Sequence, residues 1–148
     1  MADQARLADL YACYFSEDEI VRLRVSSAMK RVTAAQPAWT MPFMDGLQSE
    51  IAAIDQASTQ WTLASLFDLT KELLSASQRD RAIQIMKTNL EEHQDWIVLN
   101  TTMQVLFDWS GEDVGLGQWL GPQLERLQGD SRKSVAKRAS KLFAKMRR

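Results

Sequence analysis

The sequence predicts an all-α protein of about four helix pairs, and three observations carry that expectation. Apolar residues recur at helical spacing along nearly the whole chain, where strands would alternate every second residue. The few glycines and prolines fall mainly between those periodic segments. Small residues, Ala28, Ser65, Thr102 and Ala139, return every 37 positions.

Eight helices are expected, near residues 3–14, 18–35, 41–55, 58–75, 77–91, 94–109, 114–128 and 131–147, with short connections. Ser16 and Glu19 have capping-box spacing at the start of the second. Pro37 and Pro42 punctuate the second and third helices, and Asp95 is placed to cap the helix that begins at Trp96. Ser110-Gly111-Glu112-Asp113 closes the sixth helix and opens the seventh, as Gly129-Asp130-Ser131 does before the eighth.

The second helix of each pair carries the repeat. Around the small column, Val25, Thr62, Leu99 and Ala136 stand three positions before it, and Val32, Leu69, Leu106 and Phe143 four positions after. These columns are expected to face the core, with the small residues allowing close helix approach. The first helices echo the period through Leu10, Leu47, Ile83 and Leu120, then Ile54, Leu90 and Leu127, with one slip.

Helix pairs repeating at this period resemble HEAT repeats, in the HEAT and armadillo-like α-solenoid superfamily. Val25, Ala28 and Val32 after Asp18 and Arg22, and Val135, Ala139 and Leu142 after Asp130 and Arg132, look like the family's second-helix pattern. Trp61 and Trp96 stand near the place where that pattern often has arginine, so the middle repeats are degenerate. The resemblance implies a right-handed α-α superhelix of about four pairs. It would form one domain over 1–148, with repeats near 1–36, 37–76, 77–110 and 111–148.

At 148 residues, with 45% hydrophobic and 25% charged residues, the chain has the size and composition of a folded globular protein. No run approaches the ~20 apolar residues that span a bilayer, and the amino terminus has no basic-then-apolar leader pattern. The single Cys13 cannot form an intrachain disulfide; it is expected to be a small buried hydrophobe in a reducing, cytoplasmic setting. The net charge of −1 conceals an asymmetry. Residues 1–125 hold nine Lys and Arg against eighteen Asp and Glu, whereas residues 126–148 hold nine against Asp130 alone.

Catalytic and metal chemistry find little support. One histidine and one cysteine, far apart, supply neither a ligand cluster nor a nucleophile with its base, and no glycine-rich phosphate loop occurs. His93 is expected to serve a helix end. No catalytic residue, metal ligand or cofactor is assigned.

Binding candidates remain. Trp61 and Trp96 open second helices, which in HEAT arrays line the concave face; core packing is the commoner role for a helical tryptophan, but an exposed indole there would anchor a partner. Asn100 interrupts an apolar run and looks like the inner-helix asparagine with which armadillo repeats hold a peptide backbone. Ser26, Leu63 and Lys137 occupy the matching positions, so no ladder exists and a hydrogen bond between repeats is the expected role. Lys133, Lys137, Lys141 and Lys145 recur every four residues along the last helix, either capping the stack with a polar face or meeting an acidic partner.

Together these features predict a non-enzymatic interaction module or scaffold for a protein or peptide partner, with its oligomeric state open. The second expectation is nucleic-acid binding through the basic last helix, in the manner of the HEAT-like DNA glycosylases. The acidic residues 1–125 weigh against a phosphate-lined groove along the whole array.

Overall fold

Three aspartates set where long helices begin. In the computed structural model, which describes residues 4–147, the Asp18 carboxylate accepts a hydrogen bond from the Ile20 amide at 2.9 Å. Asp95 accepts from Ile97 and Val98 at 2.8 and 3.0 Å, and Asp113 accepts from Leu116 at 3.0 Å. Each satisfies first-turn amides that have no intrahelical acceptor. The helices are α1 (Gln4–Ala12), α2 (Glu19–Ala35), α3 (Pro37–Thr40), α4 (Met44–Gly46), α5 (Ala57–Leu69), α6 (Ala76–Glu92), α7 (Trp96–Ser110), α8 (Val114–Leu127) and α9 (Lys133–Met146). No strand occurs among the described residues, and the fold is all-α. Residue 3, the expected start of the first helix, lies outside the described residues.

The helix expected over 41–55 is instead a run of short turns. It begins with α3 at Pro37, passes through a 3-10 turn at Met41–Phe43 and α4, and ends in a π turn at Leu47–Ile51. Pro42 offers no amide, so α3 cannot continue past it with an unbroken hydrogen-bond ladder. At the far end, the Ala52 amide bonds the Leu47 carbonyl five residues back at 3.1 Å. Gln60 Nε2 then donates to the carbonyls of Ala52 and Ile54 at 3.0 and 2.9 Å. The helix expected over 58–75 ends at Leu69, where the Thr70 hydroxyl turns back to the Leu66 carbonyl at 2.7 Å.

The chain groups into two compact units, residues 1–85 and 86–148, with the boundary inside α6. In the first unit α2 packs along α5 and is flanked by α1 and α3. Val25 and Met29 of α2 are buried, as are Leu63, Leu66 and Phe67 of α5. The Tyr14 hydroxyl pairs with Ser26 Oγ at 2.9 Å inside this core, and burial pushes its phenol up to about 12. Gln56, just ahead of α5, donates to the Glu19 carbonyl at 2.9 Å and accepts from Arg22 Nε at 2.7 Å, tying the starts of α2 and α5 together.

In the second unit α7, α8 and α9 pack mutually around Leu99, Met103, Leu106, Trp109, Leu120, Leu124, Val135 and Leu142. A similar tie recurs here. Arg132, just ahead of α9, donates to the Gln94 carbonyl ahead of α7. Asp130 holds that guanidinium, accepting from Nε and Nη2 at 2.7 Å each and from the Arg132 amide at 2.9 Å. Gln56 to Glu19 spans 37 residues and Arg132 to Gln94 spans 38, close to the repeat read in the sequence.

The small-residue column is fully buried at Thr102 and Ala139 and half-buried at Ala28 and Ser65. Val25, Thr62 and Leu99 are buried as expected. Leu69 is not: as the last residue of α5 it has turned out of the core and is exposed. Cys13 is also exposed, because it falls in the 3-10 turn after α1, where its Sγ reaches only the Asp9 carbonyl at 3.4 Å. Among the described residues no helix is long and apolar enough to cross a membrane.

Candidate partner-binding surface

Of the five tryptophans, Trp109 is fully buried, Trp39, Trp61 and Trp119 are half-buried, and Trp96 is 52% exposed. Core packing therefore accounts completely for Trp109 alone. Lys87 Nζ sits 5.0 Å from the Trp119 ring centroid, a cation over an aromatic face. Trp96 is the first residue of α7; Asp95 fixes the helix start by binding the next two amides, and the indole is left in solvent.

Beside it runs a polar seam between α7 and α9. Asn100 Nδ2 donates to Ser134 Oγ at 3.2 Å, and one turn further on Arg138 Nη1 donates to Gln104 Oε1 at 2.8 Å. Gln104 in turn donates to Asp108 at 3.0 Å. Both cross-links span 34 residues, so the two helices are held in one register. Asn100 Oδ1 is enclosed without a hydrogen-bond partner. Asn100 thus links α7 to α9 and does not present both amide atoms to solvent.

Lys133, Lys137, Lys141 and Lys145 are all exposed. An α-helix advances 3.6 residues per turn, so a four-residue spacing drifts by about 40° per step, and Lys145 lies about 120° around the axis from Lys133. The row therefore winds from the side of α9 opposite its buried residues toward the edge bearing Ser134 and Arg138, which faces α7. Lys141 and Lys145 share that edge with Arg138; Lys133 and Lys137 lie further round.

Trp96, Asn100 and the lysine row all belong to the second unit, whereas Trp61 belongs to the first, half-buried on α5. Arg138 and Gln104 were not singled out in the sequence. Their signal is the 34-residue offset they share with Asn100 and Ser134, legible only once the facing helices are known.

Two further features bound the chemistry. A shallow depression of about 450 Å³ lies at the carboxyl end of α7, lined by Phe107, Asp108, Ser110, Gly111, Gly117 and Met146. His93 Nδ1 accepts from the Asp95 amide at 3.1 Å, so the imidazole helps shape the turn into α7. No group of three or more His, Cys, Asp or Glu residues able to hold a metal ion occurs among the described residues. No family model matches the chain, and no curated protein or solved structure is significantly similar to it.

Proposed function

We propose that the chain is a non-enzymatic interaction module of HEAT-like type that binds an acidic protein or peptide segment on the α7–α9 face. The carrying observation is Trp96, a large apolar side chain half in solvent at the start of a helix whose neighbour α9 turns exposed lysines outward. A rigid aromatic at one end of this face and basic side chains further along it supply an anchor and charge selectivity. The stacking of α2 on α5 and of α7 on α9, each tied at 37–38 residues, supports the repeat reading. A lone thiol in an exposed turn favours a reducing, cytoplasmic location.

The test is affinity capture with the tagged full chain, comparing wild type with Trp96→Ala and with Lys141→Glu. Partners lost from both variants, with circular dichroism unchanged, support the proposal; an identical capture list for all three contradicts it.

A second reading, nucleic-acid binding, draws on the same exposed lysines. Fluorescence anisotropy with labelled duplex and single-stranded DNA decides it. Binding that weakens with salt and with loss of Lys133, Lys137 and Lys141 would favour phosphate as the ligand.

A further inference from the structure

The α7–α9 seam has two ends, and only one of them enters the reading above. Asn100 meets Ser134 and Gln104 meets Arg138 at the same 34-residue offset, so the two helices run in one direction with residues 34 apart at one level. Trp96, 52% exposed, stands one turn before Asn100 at the amino end. At the carboxyl end of α7 lies the depression of about 450 Å³. The seam leads into it: Gln104, which accepts from Arg138, donates to Asp108 at 3.0 Å, and Asp108 lines the depression.

The lining suits an apolar side chain. Phe107 and Met146 supply a ring and a flexible thioether, while Gly111 and Gly117 contribute no side chain. A Cβ on Gly117 would meet nothing nearer than Ser110 Cβ at 3.8 Å, so the space beside it is open. Val114, one turn before Gly117 on α8, is 77% exposed and adds apolar surface. By the 34-residue offset Lys141 stands level with Phe107 and Lys145 with Gly111. Arg138, Lys141 and Lys145 are exposed and make no ion pair among the described residues. Asp108 is the single acid in the lining, and Gln104 already donates to it.

The spacing of the two ends selects the shape of an occupant. From Trp96 to Phe107 and Gly111, α7 rises about 17–22 Å, which an extended chain covers in about five to seven residues. The cross-links between α7 and α9 fill the seam, so no trough about 10 Å across remains for a helix, and an extended chain lies over them.

We propose that the α7–α9 face takes an extended acidic segment with two large apolar side chains about six residues apart, one against Trp96 and the other in the depression at Phe107 and Met146. This rests on the acidic-partner reading above and adds to it a second anchor and a spacing.

Fluorescence anisotropy of labelled synthetic peptides titrated with the full chain tests it. Peptides alternating glutamate and serine carry phenylalanine at two positions six apart, at two positions three apart, or at one position; a fourth repeats the first with glutamine for every glutamate. The six-apart acidic peptide is expected to bind at least about tenfold tighter than the other three. Trp96→Ala and Gly117→Leu, the second of which fills the depression, should each lower it to the affinity of the one-anchor peptide with circular dichroism unchanged. Should Gly117→Leu fail to fold, the peptide series and Trp96→Ala still decide. Equal binding of the three acidic peptides, or a spacing preference untouched by the substitutions, overturns the second anchor and leaves the acidic-partner reading standing. No binding by any acidic peptide, or a glutamine peptide as tight as its acidic parent, overturns both.

Discussion

Ala139 has no exposed surface and lies on the face of α9 that packs against α7 and α8. Replacing it with leucine inserts a branched side chain where the fold has left room for a methyl group. Overfilling a packed core of this kind costs about 1–3 kcal/mol. For a chain near this length, each kcal/mol corresponds to about 2–4 °C in Tm, so a mid-range cost lowers the midpoint by about 4–8 °C. Thermal unfolding followed by far-ultraviolet circular dichroism measures it, with fluorescence of the buried Trp109 reporting on the same unit. Ala144→Leu is the control, since Ala144 is exposed on the same helix, and its midpoint should stay close to wild type. If Ala139→Leu melts within about 1 °C of wild type, the small-residue column does not set helix approach in this unit and the repeat register is wrong.

Three other outcomes follow from named contacts. Thr102 Oγ1 is buried without a hydrogen-bond partner, so Thr102→Val removes an unsatisfied hydroxyl and should raise stability by about 1 kcal/mol in chemical denaturation. The Arg132 guanidinium holds the Asp130 carboxyl down at about 2, below its ordinary 3.8. A lowered folded-state pKa stabilises above the unfolded value and loses that contribution as the pH falls from about 4 to about 2. Asp130→Asn should therefore cost about 1 kcal/mol at neutral pH, discounted for the partly exposed arginine, and flatten the acid limb of the stability profile in that window. Changing Lys137 and Lys141 to Glu should leave the melting curve unchanged and weaken binding of any acidic partner, read by titration calorimetry.

Helix positions were largely legible in the sequence because their starts are chemical. Asp95 caps where the sequence placed it and Asp113 closes the run that opens the seventh helix, whereas the second helix is capped by Asp18 and not by the Ser16–Glu19 box, because Ser16 Oγ accepts from the Asp18 amide ahead of the helix. Six of the expected segments differ from the observed helices by a few residues at most. The third segment was not legible. Pro37 and Pro42 showed that a boundary was near, but whether the chain stops or continues as 3-10 and π turns depends on the Gln60 amide, which donates from another helix to the Ala52 and Ile54 carbonyls. Exposure was harder still. Cys13, Leu69 and Trp96 each sit at or just past a helix end and are exposed there. Periodicity fixes a face only while the helix lasts.

The lysine row shows the same limit in the binding surface. Four-residue spacing reads as a straight ridge in the sequence, and it becomes a winding one because the helix turns every 3.6 residues. The cross-links from Asn100 to Ser134 and from Arg138 to Gln104 decide which part of the row borders α7. No single-helix pattern contains that information.

The most direct test of the interaction-module account is site-specific photo-crosslinking of the full chain in cell extract, with a photoreactive amino acid replacing Lys141 and, separately, Gln118 on the exposed side of α8. A discrete protein adduct from position 141 that is absent from position 118, and lost when Trp96→Ala is added, is the predicted result. Adducts only to nucleic acid, or the same adducts from both positions, would contradict the account.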